Sequence, residues 1–208
     1  MVWTVRDATA ELAQRDEVLS GLIRRHGLMR LSTPPSATRR FETLASSIAF
    51  QQLNGRAAET IWGRMKALVD GPFTAGAVLR VSPEKWRAAG MSGAKTASLI
   101  DLAENQQTGR LQLETIGRLS DEDVVEHLVQ VRGIGPWTAH MFLLFTLRRP
   151  DVWPIGDFGV RNGYGKAWLG GSMPTPAQMP QLGERFRPYR SVAAWYCWRA
   201  ADDPEFRN

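Results

Sequence analysis

The stretch VRGIGPWTAHMFLLF, residues 131–145, sets two glycines one residue apart between a polar, helix-like run and a strongly apolar one. Upstream, SDEDVVEHLVQV (120–131) opens with Ser120 and has Asp123 three residues on. This is a capping-box pattern that also sets acidic side chains against the positive end of a helix dipole. Val124, Val125, Leu128 and Val129 are the expected buried face. Downstream, Pro136 suits a first helical position, and residues 137–147 are apolar nearly all round, as in a helix buried within a domain. Helix, glycine turn, helix reads as a hairpin whose glycines permit positive φ and clear side chains from the tip. Amides left bare at the second helix's N-terminus would suit a phosphate oxygen, and such a contact ignores base sequence. A tight turn used only for packing has the same local pattern.

Outward from the hairpin, helical periodicity prevails and alternating strand-like runs are scarce, so the chain reads as all-α. Residues 7–26 form a first amphipathic helix ended by Gly27, and LSTPPSAT (31–38) is a linker by its turn chemistry. Helices over 39–52 and 56–69 follow, the second closed by a DGP turn. Ser82 before Pro83 signals another start, and residues 92–109 carry a helix that ends near Gly109. Residues 148–166, dense in glycine and proline, read as a loop; Thr175 and Pro176 then start a helix, and RSVAAWYCWRAA (190–201) makes the last.

The chain has 208 residues, of which 43% are hydrophobic, enough to bury a core as one large domain or two small, closely packed ones. No apolar run is long enough to span a bilayer, and residues 1–20 carry charges where a signal peptide needs an apolar stretch, so a cytoplasmic location is expected. The single cysteine, Cys197, excludes a disulfide framework, a four-cysteine iron–sulfur cluster or a cysteine zinc site within one chain. His26, His127 and His140 lack metal-ligand spacing. A net charge of +5 makes polyanions plausible partners, because cations clustered against phosphates release counterions.

Asp157, in WPIGDFGVR, follows the apolar helix, and Trp153, Ile155 and Phe158 would hold its carboxylate beside a water-poor cleft. An aspartate in such a loop also suits a helix N-cap. Hairpin GIGPWTA, apolar helix, then aspartate in PIGDFGVR together resemble the helix-hairpin-helix base-excision DNA glycosylases, and within them the 3-methyladenine DNA glycosylase II branch. FETLASSIAFQQLNGRAAETI (41–61), GMSGAKTASLIDLA (90–103) and the tryptophan-rich last helix share the likeness, which covers most of residues 41–199.

The resemblance implies two helical subdomains with a cleft between them, one spanning about 41–147 and the other built from 1–40 plus 148–208. It leaves no room for the N-terminal β-domain of larger bacterial members. It further implies a monomeric enzyme acting on double-stranded DNA with damaged bases. Such an enzyme must rotate the target nucleotide out of the stack at a cost of a few kcal/mol. Gln52, with Leu53 next, matches the wedge that fills the gap, and Trp137, Trp198 and Met141 match the base pocket. Aromatic faces favour cationic, N-alkylated purines; Met141 stands where some relatives have tyrosine, which leaves the preferred base open.

A cationic base is already a good leaving group, so one carboxylate suffices: Asp157 would stabilise positive charge on the sugar and orient the attacking water. Relatives that also cut the strand carry a lysine nucleophile where this sequence has Trp137, so the reading is of a monofunctional enzyme that leaves an abasic site. Arg132, Gly133, Ile134, Gly135, Trp137 and Thr138 are the expected DNA-backbone contacts, with Lys95, Arg161 and Arg56 as further candidates for the DNA-facing surface. By the same likeness, the carbonyls of Val129, Val131 and Ile134 are candidate ligands of a monovalent cation; no other cofactor is expected. A non-enzymatic DNA-binding module, or a glycosylase for deaminated or oxidised bases, are the alternatives.

Overall fold

The computed structural model describes residues 3–53 and 55–204, and no strand occurs among them. In chain order the helices are α1 (Val5–Arg15), α2 (Glu17–His26), α3 (Arg40–Phe50), α4 (Gly55–Ala67), α5 (Ala75–Leu79), α6 (Pro83–Ala88), α7 (Gly93–Gln107), α8 (Asp121–Val129), α9 (Pro136–Met141), α10 (Phe158–Trp168), α11 (Met179–Gly183) and α12 (Arg190–Asp202). The chain divides into two compact units: a central unit, Thr33–Leu147, and a terminal unit made of Met1–Ser32 with Arg148–Asn208.

In the central unit, Leu44, Ala45, Ile48 and Ala49 of α3 meet a core supplied by Met65, Val78, Trp86, Leu99, Leu102 and Leu128, all nearly or fully buried. Ser120 caps α8 as expected, its hydroxyl accepting the Asp123 amide at 3.1 Å. The face of α8 differs from expectation: Val124 and Leu128 are buried, Val125 is intermediate and Val129 is exposed. The apolar stretch after the hairpin is not one buried α-helix either. It runs as α9 and then a π-helical segment, Phe142–Thr146, with Trp137 and Phe145 exposed.

In the terminal unit, Asp16 splits the predicted first helix in two. Its backbone is extended, and its carboxylate accepts the Leu19 amide at 2.9 Å and the Trp168 indole N–H at 3.2 Å, and pairs with Arg185. Tyr164, Trp168 and Phe186 form an aromatic cluster around that point, Tyr164 and Trp168 stacking at 4.8 Å between centroids. The predicted loop over 148–166 ends early, because α10 already starts at Phe158. Residues 176–178 form a turn, and the helix expected at Thr175 begins at Met179.

The main packing of this unit is α10 against α12. At Gly163 the two backbones come so close that an added Cβ would lie 1.7 Å from the Cys197 carbonyl oxygen.

Candidate active site

The hairpin of the central unit is pinned from inside by Val131 and Ile134, whose side chains are buried, and the Ile134 amide donates to the Val131 carbonyl at 3.0 Å. Gly133 turns the chain at φ 76°, and a Cβ there would also strike Ser98 Oγ at 2.3 Å. Two long-range bonds hold the tip: the Arg132 amide donates to Asp101 Oδ2 at 2.8 Å, and Gln51 Nε2 donates to the Gly133 carbonyl at 2.9 Å. The amides of Arg132 and Ile134 are therefore not bare, contrary to expectation, and the Arg132 amide is taken by an acidic side chain. Gly135 is the N-cap of α9 but brings no capping side chain, and the space beside its Cα is open.

Against this turn lies a cavity of about 610 Å³. Its walls come from the end of α3 and the following loop (Ser47, Phe50, Gln51, Gln52), the two hairpin glycines, and Trp137, Thr138 and Met141 of α9. Trp137 is 52% exposed, so much of its indole surface is open to solvent or a ligand. The volume falls in the range of small-ligand sites. Gln52 stands at the rim with φ 55°, a left-handed conformation uncommon for a side-chain-bearing residue, and next to it Leu53 is 38% exposed. The AFQQLN segment is described through Leu53; Asn54 lies outside the described residues.

In the terminal unit Asp157 is 6% exposed and serves as N-cap of α10. Its Oδ1 accepts the Val160 amide at 2.7 Å and the Trp198 indole N–H at 2.8 Å. Capping and a specialised carboxylate, alternatives in the sequence, are thus compatible in one side chain. Of the neighbours expected to enclose it, Trp153 is buried and donates its indole N–H to the Met179 carbonyl at 2.8 Å, whereas Phe158 is 67% exposed. Ile155 is likewise on the surface.

Residues 45–188 match the family model of the HhH-GPD superfamily of base excision DNA repair proteins. The chain belongs to that superfamily. It is 34% identical over 204 residues to a DNA-3-methyladenine glycosylase of Schizosaccharomyces pombe, an alignment that covers 97% of this chain and 90% of the relative. Among solved structures it resembles the 3-methyladenine DNA glycosylase of that yeast in complex with abasic DNA, with a TM-score of 0.85, 32% identity, and 97% and 100% of the two chains covered. A DNA-3-methyladenine glycosidase from Bacillus halodurans is equally similar in fold, with a TM-score of 0.85, 33% identity, and 97% and 93% covered.

Within this HhH-GPD chain two of the candidate DNA-facing cations hydrogen-bond to backbone carbonyls. Lys95 donates its ammonium to the Ala49 carbonyl at 2.9 Å, neutralising the negative end of α3, and burial lowers its pKa. Arg161 donates to the Pro174 carbonyl at 2.8 Å and so ties α10 to the loop beyond it. Arg132 and Arg56 are exposed. The carbonyls of Val129, Val131 and Ile134 stand at the C-terminal end of α8 and in the turn after it, where the helix dipole is negative. Val131 gives one lone pair of its carbonyl to the Ile134 amide, and a carbonyl has two.

Gln51 and Asp101 were missed in the sequence. Gln51 adjoins the expected wedge and looks equivalent to Gln52 until the fold shows which one reaches the hairpin. Asp101 sits three residues, nearly one helical turn, beyond Ser98 on α7, and that i,i+3 neighbourhood is the available signal.

Proposed function

We propose that this protein is a monofunctional DNA glycosylase that releases cationic, N-alkylated purines such as 3-methyladenine from duplex DNA and leaves an abasic site. The observation that carries the reading is the buried Asp157 carboxylate, held on one oxygen by two N–H donors. The likeness over nearly the whole chain to enzymes named for this activity supports the substrate class.

Each residue type has a task that its chemistry suits. Asp157 places negative charge beside the sugar as positive charge develops there. The N-glycosidic bond breaks with its electron pair leaving on the base. A water oxygen then bonds to the anomeric carbon, and its proton passes to the carboxylate or to solvent. A cationic base departs as a neutral molecule, so no second carboxyl is needed to protonate it. Trp137 offers a π-face to that cation, worth about 0.5–2 kcal/mol depending on how dry the contact is. A monovalent cation held by the Val129, Val131 and Ile134 carbonyls would supply positive charge facing a DNA phosphate.

Gln52 fills the gap left in the stack, with Leu53 beside it. Its strained backbone, an expense of roughly 1–3 kcal/mol, is a feature that accumulates at working sites. Gln52→Ala is expected to slow excision about tenfold in a fully paired duplex and less at a mismatch, where pairing energy is already lost. Single-turnover rates on matched and mismatched substrates check this, and equal effects would argue against a wedge.

The reading as a whole is tested by incubating methylated duplex DNA with the protein and quantifying free bases by chromatography. Release of methylated purines is expected; no release with DNA binding intact would overturn the proposal. Since Trp137 cannot form a Schiff base, the product strand should stay intact at neutral pH and break only after hot alkali or an abasic-site lyase. Nicking by the pure protein would contradict the monofunctional assignment.

A further inference from the structure

Gly159 occupies the second position of α10, where alanine would serve the helix better, and its φ is not in the left-handed region, so the backbone does not require glycine. The reason lies on the neighbouring helix. A Cβ at residue 159 would sit 2.7 Å from Cδ1 and 3.1 Å from Nε1 of Trp198, and 3.3 Å from Oδ1 of Asp157. The first of these is closer than real Cβ atoms come, so the indole would have to shift. That indole edge carries the N–H which reaches Asp157 Oδ1 at 2.8 Å.

We infer that Gly159 is a positioning residue: its missing side chain lets the Trp198 indole lie across the first turn of α10 and orient the Asp157 carboxylate. The inference rests on the reading of Asp157 as the catalytic carboxylate. Trp198 accordingly acts on the carboxylate directly through its indole N–H, in addition to any stacking on a base. A methyl group at residue 159 displaces the indole sideways, and the carboxylate loses that N–H while keeping the Val160 amide. A carboxylate turned by a fraction of an ångström loses rate, because stabilisation of a developing charge depends on preorganised geometry.

The test is a double-mutant cycle on the full chain, read by single-turnover base release from methylated duplex DNA. Gly159→Ala is expected to slow release about 10²-fold while affinity for abasic DNA changes less than about threefold. Trp198→Phe removes the N–H, and in that background Gly159→Ala should add less than about a twofold effect, because both substitutions break the same bond. A direct readout accompanies the rates. The indole ¹H–¹⁵N resonance of Trp198, identified by its loss in Trp198→Phe, should move in Gly159→Ala in the same direction as in Asp157→Ala. Wild-type rates for Gly159→Ala, additive losses in the cycle, or an unmoved resonance would each overturn the inference. Full activity of Asp157→Asn would instead overturn the reading of Asp157, and the resonance would still report whether Gly159 seats the indole.

Discussion

Asp157→Asn should leave a folded, DNA-binding protein that no longer releases alkylated bases. Asparagine keeps an oxygen where Oδ1 accepts the Val160 amide and the Trp198 indole N–H, and it is as good an N-cap as aspartate. Cap, helix and indole therefore stay in place, and what disappears is the negative charge. Deleting one preorganised electrostatic contact of this kind costs about 10²–10³-fold in rate. A full charge beside a developing cation belongs at or beyond the upper end of that range. Single-turnover release, affinity for abasic DNA and a thermal melt on the same sample check the three parts of the claim. A variant that keeps more than about a tenth of the wild-type rate would remove Asp157 from the mechanism, since even a lost single hydrogen-bond donor costs more.

Gly163→Ala should be the most damaging single methyl group in the terminal unit. Glycine to alanine in a helix interior ordinarily gains about 1 kcal/mol. Here the new Cβ would lie 1.7 Å from the Cys197 carbonyl oxygen, 2.5 Å from its carbon and 2.9 Å from its Cα. All three atoms are backbone of α12, so no rotamer change relieves the overlap and the helices must part. Overpacking of this severity costs about 3 kcal/mol or more, and in a chain of this size each kcal/mol lowers the melting temperature by about 2–4 °C. The expected melt is thus roughly 6–12 °C below wild type. Because α10 begins at the carboxylate and α12 carries Trp198, excision should fall with it. A wild-type melting curve would show that the two helices are not held at this spacing.

The glycines show why part of this fold was legible in the sequence and part was not. At Gly133 the residue turns the chain, and the surrounding helix signals announce that turn. At Gly159 and Gly163 it makes room for a neighbouring helix, yet locally FGVRNGYGK reads as a loop, so α10 itself is not expected from the sequence. Asp157 was found through the motif around it, while its indole partner lies 41 residues away and leaves no local trace. Asp16 is partly similar: helical periodicity runs straight through it, and the carboxylate that caps α2 at the Leu19 amide also accepts the indole N–H of Trp168, 152 residues on. Apolar pattern also misjudged Trp137, Val129 and Phe145, since periodicity reports hydrophobicity and an apolar side chain on the surface looks the same as one in the core. Charge was least informative. Lys95, Arg161 and Arg132 are alike in sequence, but the first two are committed to backbone carbonyls.

The sole sulfhydryl of the chain lies on the α12 face against which Gly163 packs. Cys197 is fully buried, and desolvation, together with the nearby charges of Asp157 and Asp16, pushes its ionisation far above neutrality. Electrophiles capture thiolates, so a thiol kept protonated and out of reach presents them with no soft nucleophile. In a cell exposed to the methylating agents that create its substrates, the repair protein would be spared that route to self-poisoning.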